Sequence, residues 1–353
     1  MRETIPDSDG SERAPATPYN DPRLAVDLGR GLRLQNPVMP ASGCFGPEMG
    51  ALVDLNQLGA LVTKTIFYHP RAGNPSPRLA ETPAGMLNSV GIPSRGVAHF
   101  LEHILPAYTR YQVPTIVSIG GLSVREYWDL AARLDGVPGV AALEVNISCP
   151  NLEAGGLEIG ANPRHVAAVI EGVVQRFAGP VIAKLTPNVT RIADIARAAE
   201  DAGATAISAI NTFVAMAIDV RSRRPRTGTP TAGLSGPAIK PLALRMVWEV
   251  ARTVQVPVIG MGGISNAEDA LEFILAGATA VAIGTANFPR PTAMHETILG
   301  LRAFLDAEGI GHIHDLVGTL RYEPFGAVGT LDAAREATMG PSWPSPEQPR
   351  EPR

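Results

Sequence analysis

The sequence predicts an α/β protein of the TIM (β/α)8 barrel type, on three observations. Eight short apolar runs rich in β-branched residues recur along the chain. Helical stretches separate most of them. Polar residues and glycines collect just after the runs, while the run bodies stay apolar. Strands of a parallel sheet that is covered on both faces read as near-continuous apolar segments of this kind. Eight of them in regular alternation with helices form the barrel pattern. An open doubly wound sheet is the competing architecture, but no G-x-G-x-x-G follows the first run.

In order, the predicted strands lie at 36–42, 60–66, 114–120, 142–148, 180–185, 205–210, 256–262 and 280–285. In a barrel the active site forms at the C-terminal ends of the strands, so the residues there carry information. Ser42, Gly43 and Cys44 follow the first strand. Lys64 and Thr65 end the second, and Ser118 with Gly120 and Gly121 the third. The fourth ends in Asn146 and Cys149. The fifth carries Lys184, then Thr186 and Asn188. Asn211 and Thr212 follow the sixth, Gly262 and Gly263 the seventh, Gly284 and Thr285 the eighth. Two helices are predicted to open on capping boxes, Ser123 with Glu126 and Ser265 with Glu268. Two connections, 67–93 and 213–239, are long enough to read as lids or binding loops.

Composition bounds the rest. The chain is 45% hydrophobic and 18% charged, with a formal net charge of −4, so no basic footprint points to nucleic acid. No apolar run is long enough to span a bilayer, and no signal peptide is visible, which predicts a cytoplasmic protein. Two cysteines cannot build a disulfide framework. Residues 1–20 are predicted to be a disordered tail, 21–310 the barrel, and 311–353 a C-terminal extension disordered from about 341, where five prolines crowd the last 13 residues.

The strand ends suggest chemistry. Glycine pairs at 262–263 and 284–285, the first before a capped helix, suit a phosphate held by backbone N–H groups; tight turns are the plainer reading. Lys64 and Lys184 stand in otherwise apolar strands, where lysine is rarely buried without a partner. They suit an anionic ligand or a reduced, anionic cofactor ring. Asn88, Asn146, Asn151 and Asn211 offer amides to a planar polar ring such as a pyrimidine. Cys149 suits a nucleophile or a general base; no histidine follows at a spacing that suggests a Cys–His pair, which leaves removal of a proton beside a carbonyl. His99-Phe-Leu-Glu102-His103 matches a zinc pattern but falls on a helix outside the barrel, and no metal is expected. The arginine-rich run 221–226 reads as a solvated loop.

Taken in order, PASGCFG (40–46), GNPSPRLAETPAGMLNSVGI (73–92), LEVNISCPN (143–151), AKLTPN (183–188), INT (210–212), AGLSGPAIKP (232–241), GMGGI (260–264) and IGTANF (283–288) resemble class 1 dihydroorotate dehydrogenases, most closely the class 1B catalytic subunit. The resemblance spans roughly residues 24–307. It implies an FMN-dependent barrel, FMN at the C-terminal face, that oxidises (S)-dihydroorotate to orotate in pyrimidine synthesis. It implies Cys149 as the base, and Lys64, Asn88, Ser89, Val90, Gly91, Ile92, Asn146, Asn211 and Thr212 around dihydroorotate or orotate. For FMN it implies Ser42, Lys64, Thr65, Asn146, Lys184, Ile210 and Gly236, with Gly262, Gly263, Gly284 and Thr285 at the phosphate. At the third strand the family usually offers Asn to the flavin; Ser118 stands here, a shorter donor. The resemblance further implies a homodimer and a partner subunit carrying FAD and an iron–sulfur cluster that passes electrons to NAD. A fumarate-reducing class 1A enzyme, a dihydropyrimidine dehydrogenase-like enzyme, a tRNA dihydrouridine synthase and a non-catalytic flavoprotein scaffold are the other readings.

Overall fold

The computed structural model of the protein describes residues 19–148, 150–151 and 157–321. Most of the predicted tail 1–20, residues 1–18, and most of the predicted extension, 322–353, lie outside these. Residue contacts divide the chain into a compact unit that ends at Thr319 and another that begins at Leu320; the barrel lies in the first.

Eight parallel strands form one sheet: β1 Val38–Pro40, β2 Leu61–Val62, β3 Thr115–Ile119, β4 Ala142–Asn146, β5 Val181–Leu185, β6 Ala206–Ala209, β7 Val258–Met261 and β8 Ala280–Ile283. Each falls inside its predicted run. Sheet order is β1-β8-β7-β6-β5-β4-β3-β2, so the first two strands lie at the two ends. Those ends meet: the Gly59 N–H donates to the Val38 carbonyl at 2.8 Å, which nearly closes the barrel. Helices follow β2 through β8: α1, a helical run over 97–108; α2 Val124–Leu134; α3 Pro163–Val174; α4 Ile192–Asp201; α5 Lys240–Ala251; α6 Ala267–Leu275; and α7 Ala293–Glu308. Only short 3-10 turns, Pro47–Ala51 and Leu55–Gln57, follow β1. Every residue of β3, β4 and β5 is buried. The apolar side chains of the strands and the inner faces of the helices form one continuous core, as burial from two sides requires.

The cap of α2 is as the sequence predicts: Ser123 Oγ accepts from the Glu126 N–H, and the Glu126 carboxylate accepts from the Leu122 N–H. The cap of α6 is not. Asn266, one residue after Ser265, is the N-cap and accepts from the Asp269 N–H, while Asp269 accepts from the Ser265 N–H. The motif slid by one residue because Asn caps as well as Ser and Asp269 also binds the Lys240 ammonium at 2.6 Å.

The two long connections are structured, and they fold together. Strands Phe213–Ala215, Ala232–Ser235, Gly85–Asn88 and Leu79–Thr82 pair in that order as a small antiparallel sheet. Ile218–Asp219 and Arg224–Pro225 form a separate ribbon within the second connection, and Pro70–Arg71 pairs with Ser94–Arg95 within the first. Asn88 and Gly236, far apart in sequence, are thereby carried to one place.

Helices α2 and α3 pack through an indole. Trp128 Nε1 donates to the Ala168 carbonyl at 3.2 Å, and the Arg176 guanidinium covers the ring at 4.7 Å. A Cβ at Gly172 would overlap the indole. Gly172→Ala should therefore lower stability by about 1–3 kcal/mol through overpacking, although alanine is the better helix former. A thermal melt following tryptophan fluorescence checks this; an unchanged or higher Tm would remove Trp128 as the spacer between the helices.

Candidate active site

Parallel strands present all their C-terminal ends on one side, so side chains near those ends converge. Register sets Ser118 on β3 beside Glu144 on β4, Asn146 beside Lys184 on β5, and Lys184 beside Ser208 on β6. All five are buried.

Two networks result. In the first, the Lys184 ammonium donates to Ser42 Oγ at 3.0 Å and to Glu144 Oε1 at 3.3 Å, and Glu144 Oε2 accepts from Ser208 Oγ at 3.2 Å. Both charged side chains are only 5% exposed. Taking an ammonium out of water costs several kcal/mol unless a counter-charge accompanies it. Glu144 is that counter-charge. Among the described residues two of the three ammonium N–H groups are used, which leaves one for a ligand. Sequence reasoning did not name Glu144 or Ser208. The signal was present: an acid inside the apolar run ALEVNIS calls for a buried cation as much as Lys184 calls for an anion.

The second network is built from amides and hydroxyls. Thr65 and Ser118 share a hydrogen bond of 2.9 Å, and Asn146 Nδ2 donates to Thr65 Oγ1 at 3.4 Å. Asn146 Oδ1 accepts from Asn211 Nδ2 at 3.1 Å and from the Ser148 N–H at 3.3 Å. The Tyr127 hydroxyl, unforeseen from the sequence, donates to the Asn146 carbonyl at 2.7 Å. These bonds fix which way each amide faces. Ser118 is wholly buried beneath Thr65. Asn211 also accepts from the Thr212 N–H at 2.8 Å, and Asn188 Nδ2 holds the Thr212 carbonyl. Ile210, just before them, is buried, its N–H bonded to the Met261 carbonyl.

Lys64 is different. It is exposed, and among the described residues its ammonium has no hydrogen bond or ion pair. Its pKa is lowered from the ordinary value of 10.5, first by partial burial and then by the Arg78 guanidinium. An anionic ligand would offset both effects by favouring the charged form.

Segment 88–92 is clamped in place. Asn88 Nδ2 donates to the Gly233 carbonyl at 3.3 Å, Asn74 Nδ2 to Ser89 Oγ at 3.1 Å, and Arg71 Nε to the Gly91 carbonyl at 2.9 Å. The Asn74 N–H donates to the Val90 carbonyl, and the Ser89 hydroxyl bonds to that of Thr229. Ile92 has φ 46°, a left-handed backbone that β-branched residues avoid. Strain of this kind persists where surrounding contacts over-determine it, and it clusters at ligand sites.

Glycines line the mouth of β7 and β8. Gly263 has φ 83°, and a Cβ there would come within 2.8 Å of the Gly236 carbonyl oxygen. Ser235, next to Gly236, accepts from Thr285 Oγ1 at 2.8 Å. Residues 236, 262–263 and 285 thus share one corner, with Gly284 beside it and the N-terminus of α6 following. That corner suits a phosphate.

Cys149 and the Asn151 side chain lie outside the described residues. Cys44 is described: burial pushes its thiol up to about 11, with Glu144 adding and Lys184 opposing. The residue is partly exposed, and at neutral pH the thiol is mostly protonated without being sealed from solvent. His99 and His103 stack at 4.5 Å on α1, and among the described residues no group of three metal-ligating side chains forms.

A sequence model described as dihydroorotate dehydrogenase matches residues 24–305 of the chain. A protein of Desulforamulus reducens named dihydroorotate dehydrogenase B (NAD(+)), catalytic subunit, is 56% identical over 297 residues, covering 84% of this chain and 97% of that protein. Proteins of the same name from Pelobacter propionicus and Porphyromonas gingivalis are 50% and 47% identical, each covering 85% of this chain and 99% of the relative.

Glu144→Gln should leave the Lys184 ammonium buried without a counter-charge and cost about 3–5 kcal/mol in urea unfolding. Adding Lys184→Met should recover part of the loss; no recovery would show that Glu144 stabilises through something other than the pair. For Cys44, the raised pKa means less thiolate at any pH below it. In a Cys149→Ala background, iodoacetamide at pH 8 should alkylate the native protein about 100-fold more slowly than the unfolded chain; equal rates would contradict the burial argument.

Proposed function

The chain belongs to the dihydroorotate dehydrogenase family, a flavin-dependent one, and from that premise we propose that it is a class 1B catalytic subunit oxidising (S)-dihydroorotate to orotate in pyrimidine synthesis. The observation that carries the reading is the composition of the barrel mouth. An unpaired ammonium, Lys64, adjoins an oriented amide chain, Thr65–Asn146–Asn211, while a buried ammonium, Lys184, keeps one donor in reserve. That donor set fits a planar anionic substrate and a flavin with a phosphate tail.

The cofactor in this reading is FMN. Gly262, Gly263, Gly284 and Thr285 would hold its phosphate, and Ser42, Thr65, Ile210 and Gly236 would line it, with Ser118 behind Thr65 and out of contact. When bound, FMN supplies the acceptor for the hydride that leaves C6 of dihydroorotate. The residues do the rest. Cys149, as thiolate, takes the C5 proton, which is acidic because C5 adjoins a carbonyl; the electron pair left behind becomes the C5=C6 bond. Lys64 neutralises the substrate carboxylate, and Asn88 through Ile92, Asn146, Asn211 and Thr212 orient the ring, where alignment is worth several kcal/mol. Lys184 faces the charge that accumulates on the reduced cofactor, and Glu144 holds it there.

The relatives' name, a catalytic subunit acting with NAD(+), supports NAD over fumarate as final acceptor and a separate electron-transfer subunit. FAD and an iron–sulfur cluster in that subunit belong to the same reading. Such clusters take four ligands, commonly cysteines, and this chain has two cysteines. A homodimer also belongs to it. The exposed row Val214, Met216, Ile218 and Val220 after β6 is an apolar surface available for self-association. No helix among the described residues is long and apolar enough to cross a membrane, which accords with a cytoplasmic enzyme.

The test is anaerobic. Dihydroorotate added to the flavin-loaded protein should bleach the flavin band, and Cys149→Ser should slow the bleaching at neutral pH by a factor of about 100 or more. Bleaching by a dihydropyrimidine lacking the carboxylate, and not by dihydroorotate, would refute the substrate. An undiminished rate in the serine variant would refute the base.

A further inference from the structure

A cavity of about 530 Å³ lies between the end of β2, the paired segments Pro70–Arg71 and Ser94–Arg95, and α1. Of the residues assigned above to substrate or cofactor, only Lys64 and Thr65 reach its wall. Its volume falls within the range of small-molecule sites, roughly 300–1,000 Å³.

The wall has two characters. One part is apolar: Phe100 is buried, and Ile104, 37% exposed, stands at the edge. The other part is cationic. Lys64, Arg71 and Arg95 all line the cavity; with Lys64 taken by the substrate carboxylate, Arg71 and Arg95 remain, and among the described residues neither forms an ion pair. Arg71 is engaged only by the Gly91 carbonyl and the Phe67 ring. Glu48 and Glu102 act on Tyr108 and His99 but do not line the space. Unbalanced positive charge around a partly enclosed volume favours an anion.

His99 sharpens the argument. Its Nε2 lies 3.3 Å from Arg95 Nη1. A guanidinium only donates, so Nε2 accepts and the ring proton sits on Nδ1. That Nδ1 is buried and, among the described residues, has no hydrogen-bond partner. A buried N–H without an acceptor costs about 1–3 kcal/mol. Burial, His103 and Arg95 all lower the His99 pKa, consistent with a neutral ring. The π-helical turn Phe100–Ile104 follows directly, and such turns mark functional sites more often than chance.

We propose that this cavity is a second ligand site, for an aromatic monocarboxylate. The carboxylate takes the Arg95 guanidinium, which His99 Nε2 holds in the wall, as its counter-charge, and the ring lies against Ile104 on the apolar side. The site is separate from the one that holds dihydroorotate. It rests on the functional reading above only in the choice of orotate as blocking ligand.

The probe is 2-naphthoate, followed by its fluorescence, with the flavin-loaded protein saturated with orotate. Saturable 1:1 binding is expected. Arg95→Ala and Ile104→Asp should each weaken it by about tenfold or more, the loss of one charge-assisted contact or of the apolar seat. Both positions are at least partly exposed and neither belongs to the catalytic rim, so flavin content and bleaching by dihydroorotate should stay unchanged and report an intact fold. Naphthalene-2-carboxamide, the neutral analogue, should bind at least tenfold more weakly. Absence of saturable binding, a smaller loss in either variant, or equal binding of the carboxamide would overturn the proposal. If dihydroorotate fails to bleach the flavin, the titration is run without orotate; the same variants then decide for or against the cavity while the functional reading alone falls.

Discussion

A buried ammonium sets the terms for the inside of this barrel. Lys184 lies within a strand whose every residue is buried, and its charge is tolerable there only because Glu144, on the neighbouring strand, meets it with the opposite charge. Ser42 and Ser208 satisfy what remains on each side. Four strands, β1, β4, β5 and β6, are tied together by this one requirement. The interaction is not chiefly a source of stability, since apolar residues of equal volume would often serve that end as well or better. Its value is positional: a fixed positive charge with a donor to spare, held rigidly near the C-terminal ends of the strands.

The second constraint is that a barrel mouth needs walls. Two long connections supply them by pairing with each other, so the clamp around 88–92 depends on residues from 71 to 233. An isolated loop of this length would sample many conformations and lose entropy on ligand binding. Here the backbone ladder has already ordered it, to the point of holding Ile92 in a left-handed conformation. Arg71 belongs both to this clamp and to the wall of the neighbouring cavity, so the two spaces share a structural element although they favour different ligands.

The two cysteines illustrate how little a residue type says alone. Cys44 follows a strand and has a serine close by in sequence, as Cys149 does. Its thiol nevertheless lies where burial outweighs the pull of Lys184 and stays protonated. The proposed base, Cys149, is assigned by the resemblance of its sequence neighbourhood.

The sequence by itself determined the barrel. Strand after strand of the barrel carries the continuous apolar run that burial from two faces demands, and each of the eight barrel strands lies within its predicted run. It also determined which residue types stand at the strand ends, because that depends only on where the apolar runs stop. Tertiary structure decided the partners. Glu144 and Lys184 are forty residues apart, and nothing local says that strand register will set one beside the other. The pairing of the two long connections, the move of the α6 cap from Ser265 to Asn266, the Tyr127 hydroxyl under Asn146 and the orphan nitrogen of His99 are of the same kind. Apolar periodicity is a property of a short window of chain, and a window suffices to read it. Charge compensation, amide orientation and the enclosure of a cavity depend on distances between segments remote in sequence, and those distances exist only once the barrel has closed.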